Sequence, residues 1–124
     1  MKIMKLILFW ILGFACGIAA MILTRNSHPP LVEVTIKNES SFIVDRITIH
    51  DDKLKNIYLI ENLKPENFKK IFLYAGGEIG YEIVAEVNNG KLLKMEAYAE
   101  SGYSDLFLVE NDSIIYKSRT HFSY

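Results

Sequence analysis

Two hydrophobic patterns divide the chain. Residues 6–23 read LILFWILGFACGIAAMIL, an unbroken apolar run without charge. From Leu31 onward, apolar and polar side chains alternate in short bursts separated by Gly, Asn, Asp and Ser. The first pattern predicts a single helix: eighteen residues rising 1.5 Å each span about 27 Å, just enough for the hydrocarbon core of a bilayer. The second predicts half-buried strands, because successive side chains of a strand point to opposite faces.

The alternation sets out the strands one by one. Val32, Val34 and Ile36 share a phase against Glu33, Thr35 and Lys37. After a turn at 38–41, the run 42–50 starts with Phe42 and Val44 in one phase and ends with Ile47 and Ile49 in the other, which predicts a bulge near Asp45-Arg46. Residues 57–61 make a third strand. In 81–88 the residues Tyr81, Ile83, Ala85 and Val87 form one face. Asn89-Gly90 is a two-residue hairpin signal, since both positions tolerate positive φ. The returning strand, 92–100, sets Leu93, Met95, Ala97 and Ala99 against Lys94, Glu96, Tyr98 and Glu100. Ser101-Gly102 turns again, and 106–110 and 113–118 form a last hairpin around Asn111-Asp112.

Residues 65–74 fit two elements. Phe68, Ile71 and Phe72 have helical spacing, and Pro65 suits a first helical turn. The same residues suit a crossing loop followed by a strand at 71–74, which is favoured because the neighbours are strands and Gly76-Gly77 follows at once. The expected fold is therefore all-β, a small antiparallel sandwich behind one N-terminal transmembrane helix, with an α+β variant carrying one short helix at 65–74 as the alternative. The architecture resembles the immunoglobulin-like domains of bacterial envelope proteins, although no motif is specific to a family.

The expected organisation is a cytoplasmic N-terminus at 1–5, a transmembrane signal-anchor helix at 6–23, a short stem at 24–30, a β domain at 31–118 and a C-terminal tail at 119–124. Lys2 and Lys5 precede the helix and Arg25 follows it, so the positive-inside bias keeps the N-terminus in the cytoplasm and exports the rest. The expected location is a bacterial inner membrane, with the domain in the periplasm or outside the cell. A cleaved signal would need small residues at the cut, such as Gly17-Ile18-Ala19, but the run stays apolar through Met21, Ile22 and Leu23. Lipidation at Cys16 has a fitting Ala15 and poorly fitting Gly13 and Phe14. The stem TRNSHPP is short and ends in two prolines, which holds the domain near the membrane.

Charge changes this picture once it is divided along the chain. Three of the 14 Lys/Arg lie in the first 25 residues and none of the 15 Asp/Glu does, so the remainder carries 11 bases against 15 acids, a net of −4. That balance argues against a nucleic-acid partner and against broad adhesion to anionic lipid. The one cysteine, Cys16, lies in the apolar run, so the domain folds without disulfides and has no cysteine nucleophile.

Candidate chemistry is sparse. His50-Asp51-Asp52 lacks the alternating oxygens and turn glycine of a calcium loop. No Gly-x-Ser-x-Gly elbow occurs, and 75–80 has three glycines without a phosphate-loop lysine. Asn38 and Asn111 each head an Asn-x-Ser acceptor at a predicted turn. Glu82, Glu86, Glu96 and Glu100 fall on one exposed face of adjacent strands, a solubilising arrangement before a catalytic one. No catalytic residue, cofactor or metal site is expected, and an enzyme is disfavoured.

Two features point to contacts instead. Gly13, Gly17 and Ala20 form a small-residue stripe on the helix, the kind that lets helices approach closely in lipid, as in a homodimer. Tyr98 and Tyr103, with Glu96 and Glu100, read as an aromatic contact surface amid charge. The expected function is a membrane-anchored interaction module that binds another envelope protein. The alternatives are an immunity or inhibitor protein against a periplasm-acting toxin, and an accessory subunit held in a membrane complex by its helix.

Overall fold

The computed structural model describes residues 1–25, 30–53, 55–88 and 90–121. Helix α1 spans Lys2–Arg25, and its segment Lys2–Leu23 is long and apolar enough to cross a membrane. No side chain of that segment is buried within the chain, so its apolar surface is left for another environment.

Eight strands follow: β1 (Leu31–Asn38), β2 (Val44–Asp51), β3 (Ile57–Leu63), β4 (Phe68–Tyr74), β5 (Glu78–Val87), β6 (Lys91–Glu100), β7 (Tyr103–Val109) and β8 (Ile114–His121). They form two sheets of four, ordered β4-β1-β7-β8 (sheet A) and β3-β2-β5-β6 (sheet B). The fold is thus a β-sandwich behind one helix, and residues 65–74 enter it as a turn and strand β4. All pairings are antiparallel except β1 with β7, which run parallel. Sequence reading placed the last strand's end at 118; β8 continues to His121. Asn89 of the predicted hairpin, most of the stem (26–29) and Phe122 and Tyr124 of the tail lie outside the described residues.

Alternation explains the core. Val32, Val34 and Ile36 of β1 meet Ile47, Ile49, Ile79, Ile83 and Val87 of sheet B, all nearly or wholly buried. Each such side chain contributes about 1.5–3 kcal/mol by leaving water. The phase slip in β2 is a bulge: against β5 the register shifts between Val44 and Arg46. Strand β3 changes phase at the same level, with Asn62 at a φ of 53°, so Val44 and Leu63 stay paired and both stay buried. A turn from Lys64 to Asn67 then carries the chain from sheet B to sheet A, with Pro65 in its first central position and Glu66, at a φ of 65°, in its second.

Two buried polar fastenings complete the sandwich. At the end of β1, Asn38 is fully buried. Its Nδ2 donates to the carbonyls of Phe42 and Leu63, both at 2.8 Å, and its Oδ1 accepts from the Ser40 amide and hydroxyl. With its amide fully engaged, Asn38 is unsuited to carry a glycan in the folded chain. At the other end, Asp105 of β7 is buried. Arg119 of β8 grips it with Nε at 2.8 Å and Nη2 at 3.1 Å, and the Tyr81 hydroxyl of β5 donates to it at 3.0 Å. A bulge makes this possible. Leu106 faces Ser118 and Phe107 faces Tyr116, so Lys117 is skipped and both Tyr116 and Arg119 turn inward.

Arg119→Met would strand a buried carboxylate, and we expect a loss of about 3 kcal/mol in chemical denaturation of the detergent-solubilised chain. Adding Asp105→Leu to that variant should recover much of the loss. A double variant as unstable as the single one would show that Asp105 and Arg119 do not act as a pair.

Candidate interaction surface

Strand β6 is one edge of sheet B, and its outward side chains carry the features singled out in the sequence. Glu96, Tyr98 and Glu100 are all exposed there, Tyr98 by 51%. Across the ladder, Glu96 faces Glu82, Glu100 faces Glu78, and Tyr98 faces Gly80. Like charges placed directly opposite each other on a sheet are destabilising. Lys94 lies diagonal to these residues and reaches only one of them, Glu82, at 3.9 Å.

Tyr98 stands between two hollows. One, of about 420 Å³, is lined by Asp52, Tyr81, Glu82, Glu96, Ala97 and Tyr98. The other, of about 320 Å³, is lined by Met95, Glu96, Ala97, Tyr98, Tyr116 and Arg119. The first exists partly because residue 80 is a glycine. A Cβ there would come within 2.5 Å of the Asp52 carboxylate, which folds over the bare backbone. Asp52 is fixed by its own amide, which donates to the Gly80 carbonyl at 3.1 Å. Both hollows are open, and the first is lined mainly by polar surface, unlike the enclosed apolar clefts that bind small molecules.

Tyr98 is held through its backbone. Its carbonyl accepts from Arg119 Nη2, which ties β6 to β8. Its hydroxyl stands beside Glu78, and the interaction with that carboxylate, with some desolvation and the nearby Glu100 charge, pushes its pKa up to about 12. Burial, followed by the Asp105 charge, drives the Tyr81 pKa upward as well, so that hydroxyl stays protonated and serves as a permanent donor. Asp105 in turn raises the pKa of Arg119.

Tyr103 sits elsewhere. It begins β7 in sheet A, half-buried, with its ring 4.5 Å from His121 and 5.5 Å from the Arg119 guanidinium. The structure therefore joins Glu96, Tyr98 and Glu100 but packs Tyr103 against the fastening behind them. On α1, a side chain added at Gly13 or Gly17 would meet nothing within 4 Å. Among the described residues, no three His, Cys, Asp or Glu side chains converge as metal ligands would.

Sequence reasoning missed Asp52, Glu78 and Gly80 at this surface and the Asp105–Arg119 pair beneath it. A signal existed for the pair. Asp105 shares a phase with Tyr103, Phe107 and Val109, an acid where only apolar residues belong. Arg119 gave none, because the bulge at Lys117 reverses its phase.

No family model matches the chain, and no curated protein does either. A solved structure, the NMR structure of a protein from Eubacterium rectale, is similar with a TM-score of 0.58 at 12% identity, covering 70% of this chain and 88% of that one. At that identity the likeness concerns the fold alone.

The interaction between Tyr98 and Glu78 has a direct optical signature. In alkaline titration followed by tyrosinate absorbance, Tyr98→Phe should remove a step near pH 12, and Glu78→Gln should move that step towards the ordinary value of 10. Because the pKa is raised on folding, the interaction's contribution is complete below pH 10 and fades as the pH climbs through 12. A Tyr98 step near 10 in the unaltered chain would contradict the interaction.

Proposed function

We propose that the chain is a membrane-anchored interaction module whose β domain, outside the cytoplasm, uses the Tyr98 surface to bind a basic segment of another envelope protein. The observation that carries the reading is the pair of opposed glutamates on either side of Tyr98, Glu82 with Glu96 and Glu78 with Glu100. Such opposition costs stability in the isolated domain and is relieved when a cation settles between the carboxylates. Tyr98 is exposed on a strand whose backbone is fixed by Arg119, so little backbone rearrangement is needed when a partner covers it. The hollows beside it offer room for side chains of lysine or arginine size.

Anchoring is supported by the length and apolarity of α1, and the orientation by Lys2 and Lys5 ahead of the apolar run. The bacterial inner membrane is the setting this reading assigns. A chain held close to a bilayer meets its partners at high local concentration, so a modest surface suffices.

A photo-crosslinking side chain at position 98, introduced into the full-length protein in its native membrane, tests the reading. The expected result is a heterologous adduct, identified by mass spectrometry, that fades as salt is raised towards about 0.5 M, where screening is strong. Recovery of the uncrosslinked chain alone at every salt concentration, with the protein folded and membrane-bound, would remove the surface from the mechanism.

A further inference from the structure

The two outer faces of the sandwich differ in kind. Sheet B presents the carboxylates described above. Sheet A presents aromatic rings, with Lys70 among them paired to Glu33 and Lys37 paired to Glu39 and Glu66. The outward positions of β4 are Phe68, Lys70, Phe72 and Tyr74, with the three aromatics 62%, 45% and 53% exposed. Among the described residues, Glu33 is the one acid at the outward positions of sheet A. It is largely covered and already bound by Lys70 at 3.0 Å and by the Ser104 hydroxyl at 2.8 Å. The net charge of −4 therefore conceals a sorting of charge between faces.

Strand β4 is also a free edge. An exposed edge strand bearing several aromatic residues is an aggregation hazard unless something covers it. The chain's own connectivity indicates what does. Tyr74 pairs with Leu31, and the Ala75 amide donates to the Pro30 carbonyl at 2.7 Å. Five links separate Pro30 from Arg25 at the end of α1, a reach of at most about 18 Å. The Tyr74 end of β4, one strand spacing further across the ladder, thus stays within about 25 Å of the helix end.

We infer that the β4 side of sheet A rests on the lipid bilayer surface, with Phe72 and Tyr74 at the headgroup level and Lys70 beside them against anionic lipid. The inference rests on the reading of α1 as a membrane anchor. Aromatic rings settle in the interfacial region, and lysines beside them gain from the negative surface of the leaflet. The carboxylates of sheet B are repelled by the same surface, so the sandwich lies with sheet A down. The Tyr98 surface is then presented away from lipid.

The test uses the full-length chain in vesicles of phosphatidylethanolamine and phosphatidylglycerol doped with a lipid brominated near the headgroup. Trp10, the one tryptophan, is replaced by Phe, and a single reporter is placed by Phe72→Trp or, separately, by Tyr98→Trp. Tyr74→Trp serves as a second reporter should the first disturb folding. Emission from position 72 or 74 should be quenched roughly twofold more than emission from position 98, as an interfacial side chain requires. Equal, weak quenching at all three positions in chains that float with the vesicles would overturn the inference and leave the anchor standing. Chains that fail to float would overturn both. Weak quenching together with disulfide formation between Phe72→Cys copies would overturn it in favour of a face shared by two copies of the chain.

Discussion

The salt bridge between Asp105 and Arg119 is the constraint on which the surface depends. Asp105 is wholly buried, whereas Arg119 keeps 30% of its side chain in contact with water, so the pair is anchored inside and open outside. From that position Arg119 reaches the Tyr98 carbonyl on β6, and Asp105 takes the Tyr81 hydroxyl from β5. One ion pair on sheet A therefore fixes two strands of sheet B. No disulfide is available to do this, since Cys16 lies on α1. A buried pair of this kind adds little net stability over a well-packed apolar pair but strongly penalises any arrangement that separates its members. Its value here is alignment of β6 against β8, and hence of Tyr98.

Around that alignment the sandwich becomes a two-sided object. The ladder sets acids opposite acids on the outer side of β5 and β6, and aromatics on either side of Lys70 on the outer side of β4. Neither arrangement helps an isolated domain fold. The first is a repulsion within the sheet; the second is apolar surface left in water. The two proposals relieve both with neighbours of complementary chemistry, a cationic protein segment on one side and a lipid surface on the other. The short connection to α1 makes the two proposals compatible, because the face nearest the bilayer is not the face that carries Tyr98.

Much of the fold was legible because burial follows period two wherever strands are regular. Tyr81, Ile83, Ala85 and Val87 alternate without interruption and are all buried, and the phase slip between Val44 and Ile47 marked a real bulge. Phase alone also put Glu96, Tyr98 and Glu100 on the exposed side. Legibility ended where local pattern and tertiary pairing diverge. The helical spacing of Phe68, Ile71 and Phe72 coexists with strand alternation, and only pairing of β4 with β1 separates the two. The bulge at Lys117 inverts the phase of β8, so Arg119 reads as a tail residue until its partner is known. Opposed glutamates and the bare Gly80 beneath Asp52 are properties of register, which a single strand's sequence does not carry.

The central claim is that the Tyr98 surface lies outside the cytoplasm on a chain held by α1. Labelling with a membrane-impermeant maleimide decides it most directly, using Glu96→Cys in a Cys16→Ser background expressed in a bacterial host. Intact spheroplasts should label position 96 as fast as lysed cells do, with the labelled chain recovered in the membrane fraction. Labelling that appears only after lysis would contradict the claim.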